Sequence, residues 1–302
     1  MRKLIVKTQK PILLSKYVLS NYKSLKSSSF FKALRNKDIR INDVKTSKDI
    51  LIKNGDILNI YINDNILFNL PNNILYAYED ENILVAYKPQ GILSNFEENS
   101  LNNDEPCFLD LIKKDLNSEN IKICHRLDRN TAGLIIFSKN EISHNEILKG
   151  FKEGYIFKEY VAYVSNFKFD KPKDILTAYM IKDSSTSYSK IYDVKKTNSV
   201  KIITEYEVLQ ANKDLNYAKL NIKLHTGKTH QIRAHLSHIN HPVIGDSKYG
   251  INDVNKFFNV FKQLLFSYKY TFNFSKDSIF YYLNKIIITT EVPEYIFNIR
   301  KT

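Results

Sequence analysis

The chain has 302 residues, 43% of them hydrophobic, with 20 Tyr, 18 Phe and no Trp, enough apolar material for one large domain and a smaller one. No apolar run approaches the roughly 20 residues of a membrane helix, Lys7 and Lys10 break the apolar start, and Cys107 and Cys124 are too few for a disulfide framework, so no membrane span, no signal peptide and a reducing, cytoplasmic setting are expected. The net charge of +13 is unevenly placed: residues 1–62 hold 14 Lys and Arg against 4 Asp, a net +10, which implies a polyanion-binding N-terminal module on a nearly balanced body.

Residues 11–62 read as a small α+β unit. Ile12, Leu13 and Tyr17, with Leu14 and Val18, have helical spacing, and Ser28 or Ser29 caps a second short helix through Leu34. A strand at Ile39-Arg40-Ile41 and a turn at Asn54-Gly55-Asp56 follow. In the next strand Leu58, Ile60 and Ile62 alternate with Asn59 and Tyr61. Lys32, Arg35, Lys37 and Arg40 cluster near the second helix and are candidate polyanion contacts. Residues 63–74, rich in Asn with Pro71, read as a linker to a domain over 75–302.

Beyond Ile74 strands dominate. Ile83 to Tyr87 is an apolar strand ending at the turn Lys88-Pro89-Gln90-Gly91, and Asp104 and Pro106 start a helix with Phe108, Leu109, Ile112 and Leu116 on its buried stripe. Leu134 to Phe137 is a continuous apolar strand. Glu141 to Lys152 is a helix stopped by Gly154. Tyr160, Ala162 and Val164 share one face of a strand. Ala218, Leu220, Ile222 and Leu224 alternate, as do Phe266, Tyr268, Tyr270, Phe272 and Phe274, which are expected on one face. Many antiparallel-type strands with few helices imply an α+β fold on a mixed sheet.

Arginine is scarce, 7 against 38 Lys, yet Arg126, Arg129 and Arg233 fall in two segments, His125 to Leu134 and Gly227 to Arg233. Three Arg retained in a Lys-rich composition point to places that need a planar, permanently charged fork. A buried carboxylate tends to protonate, so Asp128 needs a cation, and Arg233 can hold it charged through a bidentate fork on both its oxygens. Five of seven His lie between His225 and His241, but no Cys is near and the spacings fit no common zinc site, so no metal is expected. Cys124, beside Ile121 and Ile123, reads as a buried structural thiol.

Residues His125 to Leu134 resemble the HRLDxxTSG signature of the RluA-type pseudouridine synthases, and Thr229-His230-Gln231-Ile232-Arg233 their THQIR segment. Lys158-Glu159-Tyr160 resembles the family's K-x-Y, and Lys88 to Gly91 its KPxG turn. His241 to Asp246 with Tyr249-Gly250 resembles its HPIxGDxxYG segment. The likeness runs from about 75 to 290 in the family's order. One departure is Ala132, which stands where Ser is usual.

The resemblance implies a central, mostly antiparallel sheet crossed by the active cleft, and isomerisation of uridine to pseudouridine with no cofactor. Asp128 is then the carboxylate and Arg233 its partner. Tyr160 packs on the base with its hydroxyl placed for proton transfer. Arg126 fills the gap left by an extruded nucleotide, and Arg129 meets phosphate. Residues 1–62 resemble a small RNA-binding module shared by a small-subunit ribosomal protein and many rRNA-modifying enzymes. Large-subunit rRNA is accordingly the expected substrate, with no obligate protein partner. A non-catalytic RNA-binding protein on the same fold would lack the carboxylate, the tyrosine or the arginine, and a zinc deaminase would need the Cys-x-x-Cys absent here.

Overall fold

The shift from helical spacing to strand alternation near Ile74 coincides with a division of the chain. A computed structural model describes residues 1–96, 105–183, 188–295 and 297, so Asp104, the expected helix start, lies outside the described residues. A smaller unit is built on Met1–Asn73 and a larger one begins at Ile74.

The smaller unit contains β1 (Arg2–Ile5), β2 (Ile12–Leu13), α1 (Leu14–Asn21), α2 (Ser27–Arg35), β3 (Ile39–Ile41), β4 (Val44–Lys45), β5 (Leu51–Ile52), β6 (Ile57–Ile60) and α3 (Asp64–Leu67). Its sheet runs β1-β6-β3-β4, with β2 paired on β5, all antiparallel. Ile12 and Leu13 are strand rather than helix, and α1 buries Leu14, Tyr17 and Val18. Neither serine caps α2: Lys26 holds the cap position without a side-chain bond, and the helix is held by its buried stripe of Phe30, Ala33 and Leu34. Asn59, expected on the solvent face, is buried and donates to Asp43 at 2.7 Å. Residues 63–74, read as a linker, supply structure: Asn63 caps α3 by accepting from the Asn65 N–H, and Leu67 and Phe68 enter the core with Tyr22 and Leu58.

The larger unit contains β7 (Leu75–Glu79), β8 (Ile83–Lys88), α4 (Phe108–Asp115), β9 (Lys122–Ile123), β10 (Ala132–Ser138), α5 (Glu141–Glu153), β11 (Ile156–Ser165), β12 (Lys173–Lys182), β13 (Ser189–Tyr192), β14 (Val200–Asn212), β15 (Tyr217–Leu224), α6 (Gln231–His238), α7 (Asn252–Phe258), β16 (Leu265–Phe272) and β17 (Ile288–Thr289). Among the described residues these strands form one sheet in the order β13-β12-β14-β15-β11-β16-β10-β8-β7, with β17 on β16 and β9 on β10. Only the β10–β16 pairing is parallel among them, so the sheet is mixed and mostly antiparallel, an α+β fold as expected. Every residue of β10 is buried, which is why it reads as a continuous apolar run without alternation. Gly154, left-handed at φ 76°, ends α5.

The aromatic alternation along β16 does not stay on one face. Its register with β11 shifts between Glu159↔Lys269 and Tyr160↔Ser267, leaving Tyr268 as an extra, bulged residue. Opposed residues share a face, so Leu265, Ser267, Tyr270 and Phe272 stand with Ala162, Tyr160, Lys158 and Ile156. Phe266 packs instead with Val161 and Tyr163 on the opposite face, in a second core. The bulge therefore turns Tyr270 toward the side that carries Tyr160.

Gly133 permits the parallel pairing. Its φ is 122°, and a Cβ there would lie 2.0 Å from the Ser267 carbonyl oxygen. Gly133→Ala is expected to cost about 3 kcal/mol or more of stability, read as a lowered urea midpoint; an unchanged midpoint would show that β10 and β16 can separate freely.

Candidate active site

Asp128 lies in the loop between β9 and β10, and buried groups hold that loop from beneath. Lys88 at the end of β8 donates to the carbonyls of Pro89, Ile92 and Arg129 at 2.9, 2.9 and 3.1 Å. Burial pushes its ammonium down to about 7, against the opposing pull of the Asp128 charge. Ser94 staples Leu127, donating to its carbonyl and accepting from its N–H. Gly91, at φ 97°, donates to the Arg129 carbonyl and accepts from the Arg129 guanidinium at 3.1 Å. The turn Lys88 to Gly91 is thus a clamp on the Asp128 loop.

Arg233 projects from α6 and is 7% exposed. Its fork does not close on Asp128. Nε and Nη2 donate to the two oxygens of Asp246 at 2.6 and 2.9 Å, while Nη1 donates to Asp128 Oδ2 at 2.7 Å. The expected bidentate pair belongs to Asp246, a fully buried carboxylate whose charge needs a cation and whose Oδ2 is bonded by Arg233 alone among the described residues. Burial pushes the Asp246 carboxyl up, but Arg233 and the N–H groups of Lys248 and Tyr249 outweigh it and hold it below the ordinary carboxylate range. Asp128 is 24% exposed and its Oδ1 has no hydrogen-bond partner among the described residues, so of the three groups it alone presents a free acceptor.

His230 caps α6 in a left-handed conformation, φ 61°, strained for a residue with a side chain. That turn places its Nε2 3.8 Å from Asp128 Oδ2 and its Nδ1 3.1 Å from the Tyr249 hydroxyl, and burial keeps the ring's pKa low. The Tyr249 ring lies 5.3 Å from the guanidinium carbon of Arg233. Gln231 pins the loop before α6 to β14, donating to the Ile203 carbonyl and the Thr204 hydroxyl at 3.1 Å each.

An open cavity of about 140 Å³ is bordered by Asp128 and Arg233, by Tyr160 and Lys158 of β11, and by Leu224, Gly227 and Leu265. The three catalytic candidates, Asp128, Tyr160 and Arg233, thus border one space. Tyr160 is buried, which pushes its phenol up, and the Asp128 charge adds to the effect, so the hydroxyl is neutral. Lys158 shares the Tyr160 face. Its ammonium is pushed down to about 8 by burial and lies 4.7 Å from the centre of the Phe151 ring. Behind this wall His125, with Nε2 2.9 Å from the Tyr270 hydroxyl, is kept neutral by burial.

Arg126 is exposed and borders the cavity, where a flipping residue is expected. Arg129, expected at phosphate, places Nη1 on the Gly91 carbonyl and so also serves the loop clamp. In the smaller unit Lys32, Arg35 and Lys37 are exposed, whereas Arg40 is half-buried with its guanidinium carbon 4.8 Å from the centre of the Tyr61 ring. The five clustered His take five different main partners: Glu205 for His225, Tyr249 for His230, Thr204 for His235, Asp193 for His238, and the Phe169 ring, stacked at 3.6 Å, for His241. No group of three metal-type ligands occurs among the described residues. Burial pushes the Cys124 thiol up to about 12, and Ala132 packs with Val161 and Phe266 in an apolar core.

Asp246, His230 and Lys158 are site residues to which sequence reasoning gave no role. Asp246 was legible as the acid of the segment resembling HPIxGDxxYG, but nothing in the spacing ties it to Arg233.

The family described as RNA pseudouridylate synthase matches residues 82–238. An uncharacterized RNA pseudouridine synthase of Mycoplasma capricolum subsp. capricolum is 31% identical, over 94% of each chain. The ribosomal large subunit pseudouridine synthase C of Rickettsia felis is 29% identical over 80% of this chain and 82% of its own. The solved structure of human RNA pseudouridylate synthase domain containing 1 superposes with a TM-score of 0.58 at 19% identity, covering 74% of this chain and 84% of that one, a likeness of fold. The family match and the 31% identical relative place the chain among enzymes that isomerise a base in RNA. The chain belongs to the RluA branch of the RNA pseudouridylate synthase family and converts uridine in RNA to pseudouridine.

Removing Asp246 leaves Nε and Nη2 of a buried guanidinium without their partner. Asp246→Ala is expected to cost about 3 to 5 kcal/mol, whereas Asp128→Ala, at the partly solvated end, costs about 1 kcal/mol or less. Urea unfolding of both variants reads the difference; equal stabilities would remove Asp246 as the anchor of Arg233.

Proposed function

We propose that this enzyme acts on uridines of large-subunit ribosomal RNA, with Asp128 as the carboxylate that meets the ribose of an extruded nucleotide. The observation that carries the reading is the unequal sharing of Arg233: Asp246 holds the guanidinium from the buried side, and Asp128 presents a free Oδ1 to the cavity. An ionised carboxylate fixed there needs little reorganisation when charge develops at the sugar. Tyr160 offers a ring for the base and a neutral hydroxyl for proton transfer at C5. Extrusion is required because a stacked uridine hides its glycosidic bond, and Arg126 at the cavity edge can occupy the vacated position. The large-subunit rRNA assignment is supported by the Rickettsia felis relative's name and by the strongly basic first unit.

Asp128→Asn keeps the shape of the side chain and removes its charge. It is expected to abolish tritium release from carbon-5-labelled uridine in rRNA transcripts while RNA affinity changes only a few-fold. Near-normal release would take Asp128 out of the chemistry.

The smaller unit is proposed to supply RNA affinity, its exposed Lys32, Arg35 and Lys37 meeting phosphate while Arg40, on Tyr61, shapes the surface. Replacing Lys32, Arg35 and Lys37 together by Glu should weaken RNA binding and flatten the slope of log affinity against log salt by about 2 to 3. An unchanged slope would leave these cations as solubilising charge.

A further inference from the structure

Breaking the bond between ribose C1′ and uracil N1 leaves its electron pair on the base, which carries negative charge over N1 and its carbonyl oxygens. C5 later returns a pair to C1′, the C5 proton leaves to a base or solvent, and N1 takes up a proton, so the product is a neutral isomer. Between those events the cavity must hold an anion. The groups around Asp128 have no positive charge to spare for it: two carboxylates share the guanidinium of Arg233, the nearby Lys248 charge acts on those same two carboxylates, and His230 has its pKa lowered by burial. A second cation is required.

Lys158 meets the requirement. It borders the same cavity, two residues from Tyr160 on the same face of β11, so a base resting on the Tyr160 ring is within reach of its flexible stem. Its ammonium has no carboxylate, carbonyl or hydroxyl partner among the described residues, and the Phe151 ring 4.7 Å away is its one cationic contact there. Gly227 faces it across the cavity wall, where a Cβ would lie 3.4 Å from Nζ, so the absent side chain leaves room beside the charge. An unpaired, partly buried ammonium is costly to maintain, and burial already weakens its hold on the proton. Arrival of an anion removes that penalty. Lys228 also borders the cavity, but it is exposed and water screens it. We infer that the Lys158 ammonium is the cation that takes up the charge of the uracil base while the base is detached from its ribose. The inference rests on the assignment of this cavity to the isomerisation.

The test uses the full-length enzyme and a synthetic RNA spanning one uridine that the wild type modifies, alongside the same RNA carrying 5-fluorouridine at that position. Fluorine withdraws electron density and makes the base a better anion without help. Turnover is read in single-turnover reactions as disappearance of the original nucleoside after nuclease digestion and chromatography. Lys158→Met, of similar length and uncharged, should slow uridine turnover by about 10²-fold, with much less than 10-fold loss on fluorouridine and RNA affinity unchanged. Lys158→Arg, which keeps the charge, should lie between Met and wild type on uridine. Should Lys158→Met not fold, Lys158→Gln reads the same ratio. Equal losses on the two RNAs would show a merely structural lysine and overturn the inference, as would normal uridine turnover by the neutral variant. Asp128→Asn serves as the separate control: if it remains active, the cavity assignment itself fails, whatever Lys158 does.

Discussion

Much of the catalytic half of this protein depends on how one guanidinium is divided. Arg233 gives its fork to Asp246, which is wholly buried, and a single remaining donor to Asp128, which is partly open. Both needs could not be met by a lysine, because an ammonium is a point charge without a fixed plane. The buried half of the arrangement stabilises the fold and orients the arginine; the open half positions a carboxylate. Removing Asp246 from the buried half therefore leaves most of a buried guanidinium's donors unpaired, while the open half can be altered at smaller structural expense.

The sheet delivers the remaining groups through two local irregularities. At Gly133 the parallel strands approach so closely that no side chain fits, and the Asp128 loop enters β10 immediately before that point. At Tyr268 a bulge exchanges the faces of β16, so Tyr270 stands behind Tyr160 and reaches His125 rather than joining Phe266 in the opposite core. A regular strand would have sent Tyr270 to the wrong side. Lys88 completes the support by gathering three carbonyls under the Asp128 loop, which fixes backbone rather than side chain.

Charge is distributed by purpose. The catalytic unit keeps a compact cluster in which two acids share one arginine, with Lys158 apart from it on the strand that carries Tyr160. The smaller unit carries a dispersed positive surface, in which most cations face water and can exchange counterions with a polyanion. Long-range attraction needs many screened charges; chemistry at one bond needs few unscreened ones.

The sequence by itself determined the family and most of the elements. Arg233 was legible as a scarce residue type and Asp128 and Tyr160 through the ordered segments that hold them, while β10, β15 and α5 were legible because a continuous apolar run, an apolar alternation and a stopping glycine are local properties. Local reading failed where the deciding partner lay far along the chain. The short β1 is a strand only because β6 pairs with it, and the expected linker 63–74 contributes buried residues to the core only at Leu67 and Phe68, which meet Tyr22 and Leu58. Only the tertiary structure decided that Arg233 is shared and that Tyr268 is bulged. The physical reason is the same in each case: which oxygen a buried donor reaches, and which face a strand residue takes, depend on desolvation and register between segments that no spacing within one segment encodes.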